Sequence, residues 1–212
     1  MKSLKDMKRR MLSQAYKIGY SHMPSALSAL PIIREIYAIM NRAHDVFILS
    51  KGHGAYGLYA VLEDYGLAPN WQHHEPSRDA KNGVVTTGGS LGHGLPIACG
   101  IAFAKQITGN PGKVHVLLGD GECAEGTTWE SILFAGRFLQ QWRLTVHIDA
   151  NQYQAISKTI YSVKKMLSYS GVRVIIHHGV KGDGIGLFKD RPDVHVKPIK
   201  EEEYNQAMEE LK

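Results

Sequence analysis

The residues of this 212-residue sequence with the clearest chemical meaning are Gly119-Asp120-Gly121-Glu122, followed 31 positions after Asp120 by Asn151. Each follows an apolar run rich in β-branched residues, at positions 114–118 and 144–148. Runs of this kind, separated by a helical pattern, read as adjacent buried strands of a parallel sheet. Side chains just past the carboxyl ends of such strands face the crevice where α/β sheets bind ligands. Asp120 brings an anionic oxygen to that edge and Asn151 a neutral one. Hard cations take oxygen ligands, and Mg2+ keeps coordination positions for phosphate, so the pair suits Mg2+, or Ca2+, carrying a diphosphate. Gly119 and Gly121 allow a sharp turn and a close approach of backbone to phosphate.

Two further groups carry chemistry. Gly88-Gly89-Ser90-Leu91-Gly92-His93-Gly94-Leu95-Pro96 is a glycine-rich turn into a helix. Its amides and the positive helix end can cradle an anion, although four glycines also suit plain helix-to-sheet packing. The second group is imidazole: eleven histidines, whose ordinary pKa gives both protonation states near neutrality. His22, His53, His74 and His195 stand in patterned segments. His73, His115, His147, His177 and His178 do not, and read as exposed or carbonyl-satisfied. Arg78 has the fork geometry that pairs with a phosphate.

The elements that must hold these groups follow from periodicity. Helical stripes cover residues 4–20 and 25–41, the second with Pro31 inside it, so its helix starts late or bends. A short strand at 47–49 leads through Ser50-Lys51-Gly52-His53-Gly54 into a helix at 55–65. Residues 66–84 read as a surface loop and 95–107 as a small-residue helix. Thr127 and Glu130 form a T-x-x-E capping box for the next helix, with Trp129, Ile132, Leu133 and Leu139 on its buried side. A helix at 158–169, a strand at 172–176 and a last helix from Glu201 complete the pattern. Such alternation predicts an α/β fold, a doubly wound and mainly parallel sheet with helices on both faces. One domain over 1–212 is expected, with 185–212 as an irregular tail and C-terminal helix. Strand order is not readable.

Composition narrows the function. Lys and Arg number 25 against 20 Asp and Glu, clustering only at residues 2–10, without the basic aromatic stripe of a nucleic-acid surface. The mild surplus suits anionic sugar phosphates. Cys99 and Cys123 belong to no C-x-x-C pattern, so neither a disulfide framework nor a zinc site is expected. No apolar signal core or membrane-length run is present, and a cytoplasmic location is expected.

GDG followed by Asn151 resembles the thiamine diphosphate-binding motif, and the flanking segments resemble transketolases. The resemblance implies Asp120, Asn151 and the main-chain carbonyl of Tyr153 as metal ligands. It sets Gly119, Gly121, Glu122, Gly89, Ser90, Leu91, Gly92, His53, His93 and His195 against the cofactor. Leu91 would lie on the thiazolium and His93 near the diphosphate. Ser21-His22-Met23-Pro24 is similar to the family's S-G-H element, residues 45–54 match a second signature, and His74 with Pro76-Ser77-Arg78 resembles H-P-S-R. His22, His53 and His74 would then handle sugar hydroxyls or protons. Glu125 and Glu130 match acidic positions near the contact between cofactor-binding protomers; both also suit the start of a helix.

The likeness spans nearly the whole chain but only the diphosphate-binding half of a transketolase. The acid that activates the aminopyrimidine normally lies on a second domain. The implied assembly is therefore a split enzyme with a separate pyrimidine-binding subunit, two copies of each, moving a two-carbon ketol unit between sugar phosphates. Departures accompany the match. TTGGSLGHG has one residue more than usual, and Asn151-Gln152-Tyr153-Gln154-Ala155 replaces N-G-x-Q-x-D-G. Only 30 positions separate Asn151 from Lys181. These departures leave two alternatives open: another thiamine diphosphate C–C ligase or acyl transferase (deoxyxylulose-phosphate synthase-like or acyloin-forming), and a degenerate, non-catalytic scaffold. A P-loop or dinucleotide site lacks the required glycine and lysine spacing.

Overall fold

In chain order the computed structural model has α1 (Leu4–Ile18), α2 (Met23–Ile39), β1 (Val46–Leu49), α3 (Ala55–Asp64), α4 (Gly94–Ile107), β2 (Val114–Gly119), α5 (Gly126–Phe138), β3 (Leu144–Ala150), α6 (Ser157–Tyr169), β4 (Arg173–His178) and α7 (Glu201–Glu210). It describes residues 2–151, 157–169, 172–191 and 197–212. The chain divides into two compact units, one of residues 1–35, 53–87 and 179–212 and one of residues 36–52 and 88–178.

The second unit holds the sheet. Its strands run parallel in the order β1-β2-β3-β4, so chain order and spatial order coincide. The expected parallel α/β fold is thus present. Every residue of β2 and β3 is buried, as continuous apolar runs require. Val116, Leu118, Val146 and Ile148 pack with Ala98 and Ala102 of α4, Ile132 and Ala135 of α5, and Val163 and Leu167 of α6. Burying such aliphatic side chains contributes about 1.5–3 kcal/mol each before conformational entropy is subtracted.

β3 alternates its apolar residues with Thr145, His147 and Asp149, and the imidazoles of three strands pair with one another. His115 on β2, His147 on β3 and His177 on β4 form a ladder, with Nδ1 of His115 3.3 Å from Nε2 of His147 and Nδ1 of His147 3.0 Å from Nε2 of His177. A neutral imidazole offers one donor and one acceptor, so three rings in line fit when their tautomers are ordered. Burial, reinforced by the neighbouring rings and Arg173, pushes His147 down to about 3.

Two expectations about α5 are corrected. Its start shows no side-chain cap; the Thr127 hydroxyl donates instead to the Gly92 carbonyl at 3.0 Å. Leu133 is exposed, while Ile132 is buried and Trp129 and Leu139 pack at the core edge. Cys99 and Cys123 are free and buried, which pushes both thiols up to about 12.

In the first unit α1 is fixed at both ends. Ser3 and Asp6 make a capping box, and Gly19 ends the helix in the left-handed region at φ 76°, its amide donating to Ala15. Its buried side, including Met7, Met11 and Ala15, packs in a unit where α1 meets α3 and α7. α2 continues through Pro31 without a break. Gly57 of α3 lets that helix approach α2, since a Cβ there would lie 2.8 Å from the Ala26 carbonyl oxygen. The predicted loop at 66–84 contains a 3-10 turn at Ala80–Asn82 and buries Trp71. Among the described residues, no helix is long and apolar enough to cross a membrane.

Candidate cofactor and substrate sites

The carboxyl ends of β2 and β3 are level, because Gly119 pairs in register with Asp149. Asp120 and Asn151 therefore leave two adjoining strands at the same edge, strands lying about 4.8 Å apart. Asp120 opens a 3-10 turn, Asp120–Ala124, and its Oδ1 accepts from the Gly121 amide at 2.9 Å. Oδ1 of Asn151 is buried and has no hydrogen-bond partner among the described residues. A buried acceptor left unsatisfied costs about 1–3 kcal/mol, which coordination of a cation would remove. Among the described residues no three His, Cys, Asp or Glu converge on a metal position. Asp120 and Asn151 instead offer the oxygen ligands that a hard cation takes.

Glu122 holds the surrounding loops rather than presenting open oxygens. It is 2% exposed. Its Oε2 accepts from the Gly119 amide at 2.7 Å, and its Oε1 accepts from the Gly92 amide at 3.1 Å and from the Ser50 hydroxyl. Burial raises its pKa while these donors pull it back. One carboxylate thus ties the turn after β1, the glycine-rich turn and the GDG turn together. Gly94 also donates to Ser50 Oγ at 3.1 Å, and a Cβ on Gly52 would stand 2.8 Å from the Gly89 nitrogen. Gly92, at φ 76°, has no room for a side chain against Thr127 and Glu125. The turn leaves Leu91 48% exposed, while Nδ1 of His93 lies 3.0 Å from both Ser90 Oγ and the Leu91 carbonyl.

Sequence reasoning missed Lys51 and Asp149, which form an ion pair with side chains only 1% and 2% exposed. The signal was available: an aspartate inside the otherwise apolar β3 run demands a buried counter-charge. Lys51, directly after a strand in Ser50-Lys51-Gly52-His53, supplies it.

The first unit brings together His22, His53 and His74. The His22 and His53 rings are 5.7 Å apart, and Tyr20 meets His22 at 6.1 Å and His74 at 5.6 Å, both edge-on. Burial lowers the pKa of His22, with the positive fields of Lys181 and His74 adding to it. His22 also has Ser21 Oγ 3.1 Å from its Nδ1. Arg78 is exposed, its amide donating to the Thr87 hydroxyl at 3.1 Å. Glu125 is half-buried and Glu130 exposed. Tyr153 and His195 lie outside the described residues.

Comparison with known proteins gives the same direction. Residues 41–184, more than half of the chain, match the family model described as Dehydrogenase E1 component. The chain is 30% identical to one of the subunits of apulose-4-phosphate transketolase from Actinobacillus succinogenes, over 90% of this chain and 87% of that protein. It belongs to the transketolase family.

A 6-deoxy-6-sulfo-D-fructose transketolase subunit from Clostridium is 31% identical over 59% of this chain and 53% of its own length. Against rat transketolase the identity is 27% over the whole chain but only 42% of the relative, so this transketolase-family chain spans less than half of that polypeptide. A Pichia stipitis transketolase crystallised with sedoheptulose 7-phosphate superposes with TM-score 0.75 at 19% identity, covering 98% of this chain and 40% of that one. That likeness concerns the fold.

Proposed function

We propose that this transketolase-family chain is the diphosphate-binding subunit of a two-subunit enzyme that moves a two-carbon ketol unit between sugar substrates. The observation that carries the proposal is the orphaned Asn151 oxygen beside Asp120 at adjoining strand ends. Two oxygens so placed, under loops pinned by Glu122, fit a Mg2+-bound diphosphate, with Ca2+ as the second choice. Thiamine diphosphate, when bound, supplies the stabilised carbanion that carries the ketol unit. The chain's own contribution is to hold and orient. Asp120 and Asn151 hold the cation, with the Tyr153 carbonyl as the third ligand by family likeness. Amides of the turns at 89–92 and 119–121 receive the diphosphate, joined by His93 and His195. Leu91 offers an apolar contact to the thiazolium. His22, His53 and His74 bind sugar hydroxyls and move protons. His22, with its depressed pKa, is a neutral acceptor at physiological pH.

The relative of which the chain covers 87% is itself named as a transketolase subunit rather than as a whole enzyme. We accordingly assign the pyrimidine-binding half to a second polypeptide, in an assembly with two copies of each, working in the cytoplasm where free thiols such as Cys99 and Cys123 persist. A substrate with an anionic end, phosphate or sulfonate, matches the names of the relatives. The E1-type family model keeps a 2-oxo acid as the competing donor class. Titration calorimetry with thiamine diphosphate and Mg2+, alone and with the co-purified partner, tests the reading. Binding that tightens with the partner supports it, and absence of heat in both cases overturns it. Turnover of ketose phosphates against 2-oxo acids then separates the two donor classes.

A further inference from the structure

We infer that Tyr20 is a positioning residue for the three sugar-binding histidines, its hydroxyl fixing the backbone at His53 and its ring fixing the imidazoles of His22 and His74. The inference rests on the substrate role just proposed for those histidines. Tyr20 is fully buried, so it cannot itself touch a sugar. Its hydroxyl donates to the His53 carbonyl at 2.7 Å. Its ring meets His22 and His74 edge-on at interplanar angles of 62° and 80°, the geometry in which one ring's positive edge meets another's π face. One side chain therefore touches all three candidate residues, which come from separate segments of the unit.

Tyr20 is itself held from behind. Its ring stacks on Tyr56 with centroids 3.7 Å apart and planes within 5°. The Tyr56 hydroxyl donates to the Trp71 carbonyl at 2.7 Å, and the two rings are perpendicular. The Trp71 indole N–H donates to Glu63 at 2.7 Å, and Glu63 receives both Arg10 donors at 2.9 and 2.7 Å. The side-chain polar atoms of Tyr20, Tyr56 and Trp71 each have a partner, so the stack has few alternative packings. Burial raises the Tyr20 phenol well above its ordinary pKa, and it stays a donor throughout the range in which imidazoles titrate. His74 gains most, since it lies exposed in the segment after α3 and would otherwise sample several rotamers.

The test uses the full chain with its co-purified partner, and sedoheptulose 7-phosphate as the ketol-donor probe. Tyr20→Phe removes only the hydrogen bond, and KM should rise about three- to tenfold with kcat within about twofold. Tyr20→Leu removes the ring as well and should raise KM further and move the NMR titration midpoints of His22 and His74. Affinity for thiamine diphosphate with Mg2+ should stay unchanged in both variants. A lowered Tm with unaltered KM and unaltered histidine midpoints would make Tyr20 a core residue only and overturn the inference. Should Tyr20→Leu fail to fold, Tyr20→Phe still decides on KM. Separate His22→Ala, His53→Ala and His74→Ala variants guard the premise. If they leave KM unchanged, the substrate reading fails; if they raise it while Tyr20→Phe does not, the positioning role alone fails.

Discussion

Asp120 and Asn151 show how little separates a structural edge from a site. Removing one carboxylate should be enough: Asp120→Ala is expected to abolish Mg2+-dependent diphosphate binding in calorimetry while the domain stays folded, its Oδ1 accepting locally from the Gly121 amide. Lys51 predicts the opposite pattern. Lys51→Met removes the buried counter-charge of Asp149, and urea unfolding should show a loss of about 3–5 kcal/mol. Lys51→Met/Asp149→Asn should recover much of it. The placement of Asp120 and Asn151 at adjoining strand ends was legible in the sequence because each follows an apolar run. Glu122 was legible only as a neighbour of Asp120. That its oxygens bind Ser50 and Gly92 depends on contacts 72 and 30 positions away, which no local pattern encodes.

Among the elements, β2, β3 and β4 share the imidazole ladder, and it makes the sheet acid-sensitive. Between pH 6.5 and about 3 the unfolded imidazole of His147 binds a proton that the folded one refuses. Stability is therefore complete above the unfolded value and drains as pH falls below it. Chemical denaturation at pH 7 and pH 5 should differ by about 2 kcal/mol from this residue, and His147→Gln should flatten the difference. The element boundaries themselves were mostly readable, since β2 and β3 are buried on both faces and are mainly apolar, interrupted at His115, Thr145, His147 and Asp149. The capping box at Thr127 failed for a tertiary reason: the hydroxyl finds the Gly92 carbonyl, a better-placed acceptor than its own helix start offers. Leu133 misled because helical periodicity marks neighbours of the core stripe equally, and only packing shows which face is left in water. The sequential strand order had no sequence signal, because parallel crossovers of similar length fit several orders.

Across the whole molecule, the proposed cofactor edge belongs to one unit and the cluster of His22, His53 and His74 to the other. Lesions should separate accordingly. His22→Ala is expected to raise KM for the sugar while thiamine diphosphate affinity is retained, and Asp120→Ala to abolish cofactor binding while the imidazole titrations of His22 and His74 persist by NMR. The two units also differ in how the chain composes them. The sheet unit draws β2, β3 and β4 from one continuous stretch, 88–178, whereas the histidine unit needs residues 1–35, 53–87 and 179–212 at once. Its α1 meets α7, so a helix made early waits for one made late. During synthesis the sheet strands can pair as they emerge and α1 and α2 can pack on α3, while the side of α1 that meets α7 stays uncovered until residues past 179 have left the ribosome. Trp71 reports on the late unit and Trp129 and Trp142 on the early one. In refolding, fluorescence from a Trp129→Phe/Trp142→Phe variant should lag behind that from Trp71→Phe, and chaperones that shield nascent helices should bind this chain through α1.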